Sequence, residues 1–223
     1  MERTTLGIAA DALINAGRRL GSRGLITAGE GNLSVRLDRD RLLVTPSGRR
    51  KDELTADDLI VLWLGHPDRE ARSVSGFPPS SDLAIHLAIH EARPDIGAVV
   101  HAHLPASMAL TLAGERPDPS ALPETAILLP RLPFVPFDAP GSAALAAAIA
   151  DALTEPPEPF ADAALLERHG AYAVGTDPDQ AVNRLELVEV LCRTWRDALL
   201  VRAARAALGI VAESSPGSSQ EGA

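Results

Sequence analysis

Apolar positions along the chain switch repeatedly between a period near 3.6 and a period of two. Leu6, Ala9, Ala10, Leu13, Gly17 and Leu20 fall at helical spacing, so residues 5–20 read as an amphipathic helix closed by Gly21 and Gly24. In GNLSVRLDRDRLLVTPSG the period drops to two. Leu33, Val35 and Leu37 alternate with Ser34 and Arg36, DRD turns the chain, and RLLVTP returns as a second strand. LIVLWL, residues 59–64, reads as a short buried strand. FPPSSDLAIHLAIHEARPD predicts a helix that Ser80 or Ser81 can cap and that stops near Arg93, because Pro94 disfavours helix there. GAVVHAHL is rich in β-branched residues and reads as strand, ASMALTLAG as helix, AILLPRLPFVPF as an edge strand broken by prolines, and GSAALAAAIADAL as helix. DAALLERHGAYAVG gives two strands about a turn at His169-Gly170. Asp177, Pro178 and Gln180 form a helix start, and the long helix they open carries Val182, Leu185, Val188, Cys192, Trp195 and Leu199 on one side.

Helices interleave with strands, yet hairpins are also present. That combination predicts a mixed or largely antiparallel sheet covered by helices. No composition break or internal repeat divides the chain, so residues 1–212 are expected to form one domain. The last stretch, residues 213–223, is low in complexity and is expected to be disordered.

Composition narrows the function classes. The 223 residues suffice for the core of a single α/β domain, and 46% hydrophobic content suits a globular protein. A formal charge of −9 argues against generic binding to nucleic acid or anionic membrane, though a local cluster of donors can still hold an anionic substrate. No apolar run has the length of a membrane span, and the charged, amphipathic N-terminus is unlike a signal peptide. The single cysteine, Cys192, has no internal partner, which fits a reducing cytoplasm.

Chemistry enters with the six histidines. His101 and His103 are two apart in a strand, so their rings project from the same face and can share one ion. A catalytic zinc site uses three protein ligands and keeps one position open, and His169, at a backbone turn, is the best third candidate. Asp82, His86 and His90 form a rival ladder on one helix face. Its ends lie about 12 Å apart at 1.5 Å per residue, which converges poorly on one ion. His66, in a loop beside Pro67, is set aside.

GEGNLSVR, VTPSG, PPSSD before a helix, AVVHAH and LLERHG, in this order, give a sequence that resembles the class II aldolase/adducin family over roughly residues 5–200. The resemblance implies a single three-layer α/β/α domain with a central, mainly antiparallel sheet. It also implies a homotetramer with active sites at subunit interfaces. It implies that His101, His103 and His169 bind a metal, with zinc the default and Mn2+, Co2+ or Fe2+ possible. Asn32, Ser47, Gly48, Ser80 and Ser81 then lie where the family binds substrate phosphate. Hydroxyls and backbone N–H groups at a turn and a helix N-terminus can make such a site without Lys or Arg.

The chain departs from the family at two places. Asp82 stands where fuculose-phosphate aldolase and many relatives carry the glutamate that acts as acid and base, and it is one methylene shorter. The tyrosines that serve the aldolases as proton donors are missing; the one tyrosine, Tyr172, follows the His169-Gly170 turn. Glu124 falls near a region where some members place a catalytic group. The expected activity is a metal-dependent aldolase-type lyase that breaks or forms a carbon–carbon bond of a small, phosphorylated hydroxy-carbonyl sugar or aldehyde through an enediolate, with Asp82 and Glu124 as catalytic groups. Epimerase or decarboxylase chemistry on the same site, or a non-catalytic adducin-like module, are the alternatives.

Overall fold

Seven strands hydrogen-bond into one sheet in the order β3-β2-β1-β4-β7-β6-β5. They are β1 (Asn32–Arg36), β2 (Arg41–Val44), β3 (Ile60–Trp63), β4 (Ala98–Ala102), β5 (Phe134–Val135), β6 (Ala163–Leu166) and β7 (Gly170–Gly175). Every pairing is antiparallel except β5 with β6. Among the described residues the α-helices are α1 (Thr5–Ser22), α2 (Leu83–Ala92), α3 (Pro105–Leu112), α4 (Pro123–Leu128), α5 (Ala143–Thr154) and α6 (Pro178–Ala207). This computed structural model describes residues 5–66, 71–156 and 159–209, so the tail at 213–223 lies outside the described residues.

The two-residue period of the strands sorts their side chains into two cores. Leu33, Val35, Val100, Ala102, Ala171 and Ala173 pack with α1, α3 and the first half of α6. Val99, Tyr172 and Val174 face the other way and pack with α2 and α5. The result is the expected three-layer α/β/α arrangement.

Two readings of the pattern change on folding. Residues 126–128 of AILLPRLPFVPF belong to α4, and only Phe134 and Val135 form the edge strand. Pro123 sits in the first turn of α4, where a missing N–H is harmless, while Pro130 and Pro133 prevent the helix from continuing past Leu129. On α2, neither Ser80 nor Ser81 is the N-cap: Asp82 is, and its side chain makes no capping bond. Ser80 Oγ instead accepts from the Asp82 N–H at 3.3 Å. The Asp177 cap on α6 is as read, accepting from Gln180 N at 2.8 Å.

Candidate functional site

His101 lies in β4, His103 just past its end, and His169 in the turn from β6 to β7. Gly170 makes this meeting possible. It has φ +91°, and a Cβ there would overlap the Ala102 carbonyl oxygen. The three ring centroids stand 4.9 Å apart in every pair, and one nitrogen from each ring lies within 4.8 Å of the others. Among the described residues no other three His, Cys, Asp or Glu side chains gather in this way.

The ring nitrogens are sorted by their partners. His101 Nδ1 donates to the Ala171 carbonyl at 3.0 Å, which leaves Nε2 as a lone pair. That Nε2 is buried and has no hydrogen-bond partner. Buried polar atoms are almost always satisfied, so an orphan aimed into a ring of imidazoles fits a divalent cation. Burial, and then the neighbouring rings, holds His101 well below the ordinary histidine value. Burial also lowers His169, with His103 adding to the effect. Neutral imidazole is the form that binds zinc, at about 2.0–2.1 Å.

Beside the triad is a cavity of about 300 Å³, a size suited to a small ligand. His103, His169 and Asp82 line it together with Asn32, Ser47, Gly48, Ser80 and Ser81. The two serine loops are joined: Pro46 bridges to Pro79, and Ser47 N donates to Pro78 O at 2.9 Å. Lys51 also lines the cavity and adds a cation to its wall. It is 1% exposed and donates to the carbonyls of Gly29 and Arg49 at 2.8 and 2.6 Å. Burial pushes it down to about 8.

Asp82 is 6% exposed. One of its oxygens, Oδ2, accepts from Asn32 Nδ2 at 2.8 Å and from the Tyr172 hydroxyl at 3.2 Å. Tyr172 stacks on the His101 ring, with centroids 4.3 Å apart and planes 11° from parallel. Burial, then Asp82, pushes the Tyr172 hydroxyl well above the usual phenol range. It is therefore a fixed donor to Asp82 and a poor proton source.

The ladder on α2 turns out to be an extension of the same system. Asn32 Oδ1 accepts from His86 Nε2 at 2.5 Å, and Ser34 Oγ bridges His86 Nδ1 at 2.7 Å and His90 Nε2 at 2.9 Å. Arg36 closes the far end against His90 Nδ1 at 3.4 Å. Each donor in this buried chain can point the same way, from Arg36 to the Asp82 carboxylate. Asn32 is 4% exposed, with both ends of its amide engaged. Burial holds His86 at about 4, against 6.5 for the free side chain. Between those values the unfolded chain binds more protons than the folded one, so stability falls as pH drops from about 6.5 to 4. Urea midpoints at pH 7 and 4.5 check this, with the lower one expected at pH 4.5.

Glu124 is exposed on α4 and does not line the triad's cavity, and His66 is exposed in the turn after β3. Two residues of this region escaped the sequence reading. Lys51 stands three positions beyond Gly48, and Glu30 sits inside the quoted GEGN stretch. Glu30 Oε1 lies 3.4 Å from His103 Nδ1. Burial works to raise its pKa, but the two bonds from Thr27 and the neighbouring His103 outweigh it and hold Glu30 below the usual range. A larger cavity of about 590 Å³, between the end of α2 and the start of α6, holds no histidine. Its arginines, Arg93 and Arg184, pair with Asp95 and Asp162.

Several known proteins resemble this chain. A methylthioribulose-1-phosphate dehydratase of Acidiphilium cryptum is 37% identical over 192 residues, 82% of this chain and 87% of the relative. A 3-oxo-tetronate 4-phosphate decarboxylase of Haemophilus influenzae is 32% identical over 184 residues, 80% of this chain and 82% of the relative. Among solved structures, the L-fuculose-1-phosphate aldolase of Thermus thermophilus superposes with TM-score 0.74 at 27% identity, covering 88% of this chain and 96% of that one. YgbL of Klebsiella pneumoniae, described as a candidate aldolase/epimerase/decarboxylase, superposes with TM-score 0.74 at 30% identity, covering 86% and 89%. Residues 11–196 match the family described as Class II Aldolase and Adducin N-terminal domain. With this match over most of its length and relatives of 32–37% identity, the chain belongs to the class II aldolase/adducin family.

Proposed function

We propose that this protein is a metal-dependent lyase of phosphorylated ketoses, and that its reaction is loss of water. The observation that carries the reading is three converging imidazoles, one with an orphaned buried nitrogen, beside a cavity that Ser47, Ser80, Ser81 and Lys51 also line. The dehydratase relative supports dehydration over the aldol cleavage expected from the sequence alone. The decarboxylase and aldolase relatives support carbon–carbon cleavage as the second reading. A non-catalytic module gives no reason to keep an unsatisfied ring nitrogen at His101.

In this reading Ser47, Gly48, Ser80, Ser81 and Lys51 hold the phosphate, so that binding energy remote from the reacting carbons orients them. A divalent cation held by His101, His103 and His169, with zinc the first choice, supplies Lewis-acid polarisation of substrate oxygens. Asp82 takes the proton from the carbon next to the carbonyl and passes it to the hydroxyl leaving the next carbon. One C–H and one C–O bond break, a C=C bond forms, and water departs. Asn32 and Tyr172 hold Asp82 in place through Oδ2. Glu124, exposed on α4, meets a substrate only across a contact with another copy of the chain, as in a ring tetramer. No described helix is long and apolar enough to cross a membrane, and a cytoplasmic, soluble assembly is the setting proposed.

Mass spectrometry of methylthioribulose 1-phosphate incubated with Zn2+- or Mn2+-loaded protein tests the reaction. A product lighter by one water supports it; two smaller carbonyl fragments, with no dehydrated product, overturn it in favour of cleavage.

A second prediction concerns Lys51. Charge-assisted hydrogen bonds to phosphate are worth about 1.5–3 kcal/mol, so Lys51→Gln should raise KM for a phosphorylated ketose on the order of 10-fold or more. Because burial pushes the Lys51 ammonium down to about 8, wild-type KM should climb from pH 7 to pH 9 while that of K51Q stays flat. A matching climb in the variant defeats the role.

A further inference from the structure

The loop before β1 offers His103 a partner that the triad itself does not explain. Thr27 N and Thr27 Oγ1 donate to Glu30 Oε2 at 3.0 and 2.7 Å, and Glu30 N donates back to Thr27 O at 3.0 Å. This closed turn leaves Oε1 of the same carboxylate free to face His103 Nδ1 at 3.4 Å. The turn is pinned to the metal strand. Gly31, at φ +71°, is packed so closely that a Cβ would come within 2.8 Å of the His101 carbonyl oxygen and 2.9 Å of Ile26. Neither loop nor strand can shift without the other.

The two strand histidines are thus treated alike. His101 has a carbonyl at Nδ1, from Ala171, and His103 has a carboxylate at Nδ1, from Glu30. An oxygen acceptor at Nδ1 fixes the proton there, turns the Nε2 lone pair toward the centre and makes the ring more basic. A carboxylate does this more strongly than a carbonyl, because its charge stabilises the imidazole as it gives electron density to a cation.

We propose that Glu30 is a positioning residue of the metal centre, which orients His103 and strengthens its hold on a divalent cation. The inference rests on the metal reading above and adds a residue to it.

The test uses metal affinity, which needs no substrate. Apo protein is titrated with Zn2+ and with Co2+ against a competing chelator. Glu30→Gln, which keeps the shape of the side chain and removes its charge, should bind 10–100-fold more weakly, the range seen when outer partners of metal-binding histidines are lost. The Co2+ absorption bands should also move, since the field of one ligand changes. Glu91→Gln, at an exposed position on α2, should match wild type. In a His103→Ala background, E30Q should change the residual affinity less than twofold, because its route to the cation is gone. E30Q within twofold of wild type, or a full effect surviving in the His103→Ala background, overturns the proposal. Should E30Q fail to fold, Glu30→Asp carries the same test, since it keeps the charge and withdraws from His103; unchanged affinity there overturns the proposal equally. A wild-type protein that binds neither ion overturns the ligand assignment itself, and Glu30's role falls with it.

Discussion

Protein carrying His101→Ala should purify without stoichiometric metal, and its activity should fall by about 10³-fold or more. Lewis-acid help is worth several kcal/mol, and every 1.36 kcal/mol is a factor of ten in rate. The triad leaves no spare ligand: His103 and His169 alone give two nitrogens, fewer than the three of a catalytic zinc site. Two opposing changes act on the apo fold. The variant loses the packing of a fully buried ring on Tyr172, but it also loses an unsatisfied buried nitrogen. Metal response separates ligand loss from simple unfolding. Wild type at 100 times the Kd of the metal gains about 2.7 kcal/mol, worth roughly 5–10 °C in Tm for a chain of this size. H101A should show no such rise. Elemental analysis together with melting curves in Zn2+ and in EDTA decides the matter, and stoichiometric zinc in H101A would sink the site.

Asp82→Asn is the second large effect, and of another kind. Asparagine has nearly the same shape, and its Oδ1 can accept from Asn32 and Tyr172 as Asp82 Oδ2 does. The fold, the stack on His101 and the metal should therefore persist. What disappears is the proposed proton carrier, a loss that typically costs 10²–10⁴-fold. The expected pattern is a kcat lower by about that factor, with KM and metal content little changed. A kcat within threefold of wild type would move the proton transfer elsewhere, with Glu124 of a neighbouring copy the next candidate. The shortness of Asp82 relative to the family's glutamate has a structural counterpart. Two donors converge on one of its oxygens, which fixes the carboxylate and leaves the other oxygen outside those bonds.

Tyr172 shows why a residue's role was hard to read from its type. The chain's one tyrosine follows the His169-Gly170 turn, and the sequence reading assigned it no role. In the fold it is fully buried, opposite His101 in the β4–β7 register, and its hydroxyl serves Asp82. The surroundings of the polar positions of β1 were not legible in the pattern either. Asn32, Ser34 and Arg36 alternate with apolar residues, as they would on a solvent-facing strand, yet they meet the buried histidines of α2. A period of two says that the faces differ. It does not say what covers the polar one.

By itself the sequence determined the strands, the helices other than α4, and their order, because alternation, capping residues and prolines act within a few residues of one another. It also determined the His-x-His pair, since neighbours two apart on a strand share a face whatever surrounds them. Only the tertiary structure brought His169, already named from the sequence, against His101 and His103, put Lys51 in the wall of the same cavity as Ser47 and Ser80, set Glu30 against His103, and joined the ladder on α2 to Asp82 through Asn32. Each of those depends on a sheet register and on loop approaches between distant segments. The free energy of such contacts comes from burial and from satisfying polar atoms at long range, and local periodicity carries no record of it.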